Sequence, residues 1–258
     1  MVVFDPKELE AKVKSMYRTV AETPEADFHF EMGRALAERL GYPSADLDRI
    51  PAAAIESFAG VGYYFELADV QPGETVVDFG SGSGMDTFVA ALKVGETGKV
   101  FGVDMTDEQL AKAERLRLRD GFAKVKYLKG YIDNVPLPDG IADVVISNGV
   151  INLAVDKPAV FREAARLLRP GGRLAIADIV TDLRLPDGIT CNSTLWAACI
   201  GGAMQKDDYV AGIEAAGLHV ERLVPNVRYE FISDNARGAS RKYGVRSVSL
   251  RADKPRAS

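Results

Sequence analysis

The sequence predicts an α/β protein: a doubly wound, mostly parallel seven-stranded sheet with a helical lid on its N-terminal side. Three observations carry that expectation. From Thr75 onward, short β-branched runs alternate with helical stretches, the pattern of successive βαβ units. The first run, Val76-Val77-Asp78-Phe79, passes directly into a glycine-rich turn, Gly80-Ser81-Gly82-Ser83-Gly84. Acidic or amide residues then recur at the carboxyl ends of the strands, where parallel sheets of this kind hold ligands.

Residues 1–62 precede the sheet. Asp5-Pro6 opens a helix, because proline in the first turn gives up no helical hydrogen bond. Leu9, Val13, Met16, Tyr17 and Val20 form one apolar face, and Thr23-Pro24 ends it. Met32, Leu36 and Leu40 make a second stripe, stopped at Gly41-Tyr42-Pro43. A short helix follows from Pro51 to Phe58. Helices with a single apolar face must bury it. They are therefore expected to form a lid over the C-terminal edge of the sheet, with residues 63–258 as the core. His29 falls within the lid and is a candidate base or a packing residue. In Phe58-Ala59-Gly60-Val61-Gly62-Tyr63-Tyr64, the two tyrosines either face a pocket or belong to an aromatic core.

The core strands are expected at Thr75–Phe79, Val100–Val103, Val125–Lys129, Asp143–Ser147 and Arg173–Ile179, with Val220–Phe231 and Ser247–Arg251 closing the sheet. Met85–Val94 reads as the helix after the glycine turn. Thr106-x-x-Gln109 reads as a capping box that starts the next one. A helix over Lys157–Arg169 should stop at Pro170-Gly171-Gly172. Lys206–Ala216 and Asn235–Tyr243 complete the helices, and Thr194–Met204 is an apolar segment containing Cys199.

Bulk properties narrow the function classes. The chain has 258 residues, 47% of them hydrophobic, enough for a full core. A net charge of −5 argues against a general attraction for nucleic acid, and the basic stretch Arg237–Arg256 reads as a solvated helix and tail. No leader-like or bilayer-spanning apolar run is present, so a cytoplasmic protein with no membrane partner is expected. Two cysteines, Cys191 and Cys199, make no disulfide framework and no C-x-x-C pair, and no metal site is expected. The expected partner is a small-molecule substrate; nothing in the sequence specifies an oligomeric state.

The turn itself narrows the cofactor. A dinucleotide fingerprint is G-x-G-x-x-G, but here the sixth position is Met85 and the third glycine arrives one residue early. Asp78, at the strand end, would repel a pyrophosphate yet accept hydrogen bonds from an ammonium. Asp104 ends the second strand 20 residues after Gly84, placed to accept from two ribose hydroxyls. Acid at both strand ends favours S-adenosylmethionine (SAM), which leaves as S-adenosylhomocysteine (SAH). Ile132 and Asp133, after the third strand, suit the face and amino group of an adenine, and Asn148 ends the fourth.

At DFGSGSGMD, GKVFGVDMT, VISNGVINLAVDK, LLRPGGRLAIADIV, and LWAACIGGAM with KDDYV, the chain resembles class I, Rossmann-like SAM-dependent methyltransferases. More narrowly it resembles the arsenite methyltransferase family, over about residues 55–252. The resemblance implies that Gly80, Gly82 and Gly84 hold the methionine part of SAM, with Ser81 among the cofactor-binding residues. It puts Asp104 on the ribose, Met105 against the adenine, Ile132 and Asp133 at its other edge, and Asn148 beside the methyl donor. It also exposes a departure. The family binds As(III) through three cysteines, and two of the matching positions are Val61 and Gly149; only Cys199 remains. Cys191 lies eight residues earlier, about 12 Å away on a helix. A soft trivalent centre wants thiolates. The expected function is therefore methyl transfer to a small-molecule nucleophile other than free arsenite, by in-line displacement. Arsenite or another soft acceptor served by Cys199 with external thiols is the alternative, and a non-catalytic SAM-binding protein the second. Asn148, Tyr63, Tyr64, His29 and Cys199 are the candidates for contact with the reacting groups, with Asp178 as a possible orienting carboxylate.

Overall fold

The computed structural model describes residues 5–190 and 200–256. Helix α1 (Pro6–Glu22) begins as its sequence requires: the Asp5 carboxylate accepts from the Lys7 N–H, and Leu9, Val13 and Val20 are buried. Helix α2 (Gly33–Leu40) ends at Gly41, whose φ of 113° lets its N–H turn back to Ala37 and Glu38. Three short helices follow: α3 (Ser44–Leu47), α4 (Ala52–Glu56) and α5 (Phe65–Ala68).

The α/β body then runs β1 (Thr75–Phe79), α6 (Met85–Val94), β2 (Lys99–Asp104), α7 (Asp107–Arg119), β3 (Val125–Lys129), β4 (Ala142–Asn148), α8 (Lys157–Leu167) and β5 (Leu168–Thr181). After it come α9 (Asp187–Thr190), β6 (Met204–Gln205), α10 (Lys206–Ala215), β7 (His219–Pro225), α11 (Asp234–Tyr243) and β8 (Arg246–Asp253). The strand order is β3-β2-β1-β4-β5-β8-β7. Strands β1 to β5 are parallel neighbours, while β8 runs antiparallel to both β5 and β7. This is the seven-stranded, mostly parallel sheet expected, with β6 as a two-residue addition beside β5. The order reverses at β1 and β4, the switch point at which such sheets hold ligands.

Alternation along β1 explains why its run is apolar throughout. Val76 faces one layer with Phe88, Val89 and the N-terminal helices, and Val77 faces the other with Phe161 and Leu174. Both valines are fully buried, as a strand covered on two faces demands. The N-terminal helices share this first layer: Leu36, Leu47, Ile55 and Phe58 pack into the same cluster as Phe88 and Ile146.

Three expectations need correction. The capping box does not form: Thr106 makes no side-chain cap bond, and Gln109 instead accepts from Ser83 Oγ and donates to the Tyr17 carbonyl. A buried position between the turn and α1 outcompetes the local cap. Helix α8 stops at Leu167, because Leu168 is extended (ψ 134°) and pairs with Ala142. Pro170-Gly171-Gly172 therefore lies in the irregular start of β5 rather than terminating the helix. The strand predicted over Val220–Phe231 ends at Pro225, and Asn226 turns its amide to Ser247 Oγ. Cys191 and Cys199, with most of the apolar segment before Met204, lie outside the described residues.

Candidate active site

The glycine turn closes β1 and opens α6. Gly80, Gly82 and Gly84 all have positive φ, at 70°, 52° and 98°. They are bare for different reasons. A Cβ on Gly80 would stand 2.4 Å from Val150, and one on Gly84 2.1 Å from the Tyr127 hydroxyl. A Cβ on Gly82 would meet nothing nearer than Gln109 Oε1 at 3.6 Å. Gly80 and Gly84 are thus bare for packing. Gly82 is bare toward open space, where a ligand can approach the main chain.

That space is a cavity of about 310 Å³. Its floor is Asp78, Gly80, Ser81, Gly82 and Asp86; one wall is Asp104 and Met105, another Ile132 and Asp133, and a third Asn148. Its cover is α1, through Leu9, Val13 and Tyr17, together with Ser57 to Gly60. Leu9 and Val13 pack with Met105 and Leu153 across the opening. Helix α1 is held at its C-terminal half by buried bonds: Gln109 Nε2 to the Tyr17 carbonyl, Lys112 Nζ to the Ala21 carbonyl, and Ser57 Oγ to the Val20 carbonyl. Its N-terminal half meets the body through Lys14 and Glu10 at the Tyr131 hydroxyl.

The expected cofactor residues therefore surround one cavity, apart from Gly84, which is not among the lining residues. The Asp104 carboxylate is drawn to the turn by the Gly82 N–H at 2.9 Å and the Thr106 N–H at 2.8 Å. Asp78 is buried and accepts from Thr87 Oγ1 at 2.6 Å. Burial, and then the charge of Asp86, push the Asp78 carboxyl well above the usual range. Ser81 Oγ is buried on the floor with no hydrogen-bond partner.

The catalytic candidates separate. Asn148 lines the cavity and is a hub: its Oδ1 accepts from the Val61 N–H, and its Nδ2 reaches the Gly62 carbonyl, Tyr42 Oη and Asp86 Oδ2, each at 3.0 Å. Tyr64 is fully buried and donates to Asp86 at 2.9 Å. Tyr63 packs against Tyr42 at 4.8 Å between ring centres, and burial pushes its hydroxyl up to about 12. His29 stacks edge-on against Phe30 at 4.7 Å. None of Tyr63, Tyr64 and His29 lines the cavity. Asp178 is turned away as well, accepting from Tyr209 Oη at 2.8 Å in the opposite layer.

Sequence reasoning missed Asp86 and Tyr42. Asp86 is 6% exposed and accepts from Tyr42 Oη at 2.6 Å, from Tyr64 and from Asn148. Burial raises its carboxyl and those three donors pull it back part of the way. In sequence, an acid in the first turn of a helix reads as a dipole partner and nothing more. Tyr42, inside Gly41-Tyr42-Pro43, reads as part of a helix stop.

Residues 71–217 match the methyltransferase domain family. The chain is 40% identical over 199 residues to the arsenite methyltransferase of Halobacterium salinarum, covering 77% of this chain and 51% of that one. It is 46% identical over 156 residues to the arsenite methyltransferase of Aquipseudomonas alcaligenes, covering 58% and 45%. It thus spans about half the length of the curated relatives it matches. Among solved structures, an arsenic(III) S-adenosylmethionine methyltransferase from Chlamydomonas reinhardtii superposes with a TM-score of 0.65 at 29% identity, covering 88% of this chain and 75% of that one.

Proposed function

This chain belongs to the methyltransferase domain family, and from that premise we propose that it binds SAM in the cavity and transfers its methyl group to a small-molecule nucleophile other than free arsenite. The donor set fits the cofactor. Gly82 leaves the main chain open, Ser81 Oγ waits on the floor without a partner, and Asp78 and Asp104 are buried or half-buried carboxylates held only by neutral donors. Those groups match a ligand with an ammonium and a ribose. When bound, SAM supplies an activated methyl on a sulfonium whose departure needs no acid.

The protein's part is positioning. Holding an acceptor in line at about 3–3.5 Å contributes on the order of 7–11 kcal/mol, more than a general base adds. Asn148 ties the Val61-Gly62 segment to the end of β4 and so sets the height of the cover above the turn. Leu9, Val13, Phe58 and Met105 exclude water from the same space.

One observation carries the acceptor reading. The two positions where the arsenite methyltransferases would supply thiols stand face to face: a Cβ on Gly149 would lie 3.2 Å from Val61 Cγ1. Neither residue carries sulfur. The pair is an apolar contact where two thiolate ligands would be needed. The second reading, arsenite with external thiols, is supported by the identity to two arsenite methyltransferases.

The test is SAH release with SAM, arsenite and glutathione, beside SAM with a panel of small amines and phenols. Release with an organic acceptor and none with arsenite is the expected result. Arsenite-dependent release that disappears in Cys199→Ser overturns the acceptor reading, and failure to bind SAM at all overturns the whole proposal.

A further inference from the structure

Six carboxylates line the cavity: Glu10, Asp78, Asp86, Asp104, Asp133 and Asp156. Among the described residues no lysine, arginine or histidine lines it. That lining suits the sulfonium and the ammonium of SAM. It does not suit the carboxylate at the amino-acid end of the same molecule. A carboxylate brought into such a site needs a cation of its own, because burying charge without a counter-charge is costly.

Helix α1 marks where that end must lie. Toward its N-terminus, Glu10 and Lys14 meet the Tyr131 hydroxyl, beside the wall of Ile132 and Asp133. Toward its C-terminus it meets α7: Gln109 Nε2 donates to the Tyr17 carbonyl, and Lys112 Nζ to the Ala21 carbonyl. Glu10 and Ala21 are eleven residues apart, about 16 Å of helical rise. The cavity therefore has one end at Ile132 and Asp133, assigned above to the adenine, and another lined by Ser57, Ser83 and Gln109. Asp104 joins the two: its carbonyl accepts from the Gly130 N–H, and its carboxylate from the Gly82 N–H. A ligand laid with its adenine at the first end and its ribose on Asp104 brings its amino-acid end to the second.

Lys112 stands at that second end. It lies one turn after Gln109 on the buried face of α7 and is 7% exposed. Its Nζ donates to the Ala21 carbonyl at 3.2 Å and to Ser57 Oγ at 2.8 Å. Both acceptors are neutral, and an ammonium has a third N–H to give. Burial pushes the Lys112 ammonium below the usual lysine range, and the charges of Glu56 and Glu25 act against that without an ion pair. Two other lysines bond lining residues, and each is matched by a carboxylate: Lys14 by Glu10, and Lys157 by Asp178. Lys112 is matched by none.

Resting on the function proposed above, we propose that Lys112, beside Ser57, is the subsite for the α-carboxylate of SAM. The third N–H of the Lys112 ammonium goes to the carboxylate, while the other two stay on Ser57 Oγ and the Ala21 carbonyl. Ligand and lid are then held by one group, since the Ala21 carbonyl belongs to α1 and Ser57 Oγ donates in turn to the Val20 carbonyl. The subsite also explains why a lysine is buried where its protein partners are a carbonyl and a hydroxyl.

The experiment is calorimetric titration of the full chain with SAM and with decarboxylated SAM, which keeps the sulfonium, ammonium, ribose and adenine and lacks only the carboxylate. The wild type is expected to bind SAM about tenfold or more tighter, an ordinary effect for a charge-assisted hydrogen bond. Lys112→Met and Lys112→Gln should each bring the two ligands to within about twofold. Any loosening of α1 weakens both ligands alike, so their ratio reads the lost charge. Lys112→Gln keeps an N–H donor for the neutral partners, and its binding of decarboxylated SAM reports a folded site. Equal affinities in the wild type overturn the proposal. So does a preference for SAM that survives in either variant. Loss of both ligands in both variants also overturns it and makes Lys112 a structural residue only. Binding of neither ligand by the wild type would be failure of the methyltransferase reading itself.

Discussion

Gly84→Ala and Gly82→Ala are the same chemical change two residues apart, and they should fail in different ways. Both positions have positive φ, which costs an alanine about 1–2 kcal/mol. At Gly84 the new methyl would also lie 2.1 Å from Tyr127 Oη, 3.0 Å from its Cζ and 2.9 Å from Phe88 Cε2. Tyr127 cannot swing away, because its ring packs on Phe88, 6.1 Å away between centres, and Phe88 is fully buried. Overpacking of this kind costs roughly 1–3 kcal/mol more. The total for Gly84→Ala is about 2–5 kcal/mol, a large share of the stability of an ordinary domain. At Gly82 the nearest atom is 3.6 Å away, so only the backbone cost applies. The new methyl then occupies the face on which the ligand must lie. Urea unfolding followed by circular dichroism, and calorimetric titration with SAH, separate the two. Gly84→Ala should lower the unfolding midpoint strongly. Gly82→Ala should lower it slightly and weaken SAH binding by a factor of ten or more. If Gly82→Ala binds SAH as the wild type does, the ligand does not approach the main chain at this turn.

Three further outcomes are expected. Val61→Cys with Gly149→Cys should raise arsenite-dependent SAH release at least tenfold over the wild type, since the two positions touch; no gain would mean that the acceptor side is built around something other than these two residues. Asp78 has a raised carboxyl, chiefly through burial and next through Asp86, so the folded protein holds more protons than the unfolded chain above about pH 4. Stability contributed by this group must fall as pH rises through that window. Asp78→Asn should flatten that slope and raise the urea midpoint at pH 7, and a steeper slope would refute the assignment. Lys112→Met removes the donor to the Ala21 carbonyl and Ser57 Oγ, at a cost of about 1–3 kcal/mol. Hydrogen exchange should then speed up in α1 before it does in β1; unchanged protection of α1 would mean that the helix is held by its apolar face alone.

The parallel body is legible in the sequence because its elements are specified locally. The Val76-Val77 run, the glycines after it and the apolar α6 each carry their own periodicity or backbone requirement, and β1, α6 and β3 appear with the bounds that pattern predicts. The same locality puts Asp78, Asp104, Asp133 and Asn148 at or just past strand ends, and parallel pairing with right-handed crossovers then brings strand ends together. Segments whose conformation depends on distant partners are less legible. Gln109 reads as a capping residue because its distant partners, Ser83 and the Tyr17 carbonyl, leave no trace near it in sequence. The packing reason for Gly84, the Tyr127 ring that leaves no room for a side chain there, lies 43 residues on and is invisible from the turn.

The sequence by itself determined the class of fold, the glycine turn and the acidic strand ends, because each rests on short-range backbone geometry or on a hydrophobic period. Only the tertiary structure decided which groups meet. It left Tyr63, Tyr64 and His29 outside the cavity lining. It set Val61 against Gly149, and it gathered Tyr42, Tyr64 and Asn148 around the Asp86 carboxylate. A buried charge takes its meaning from the donors around it, and those donors come from residues 42, 64 and 148, which only the folded chain brings to one point.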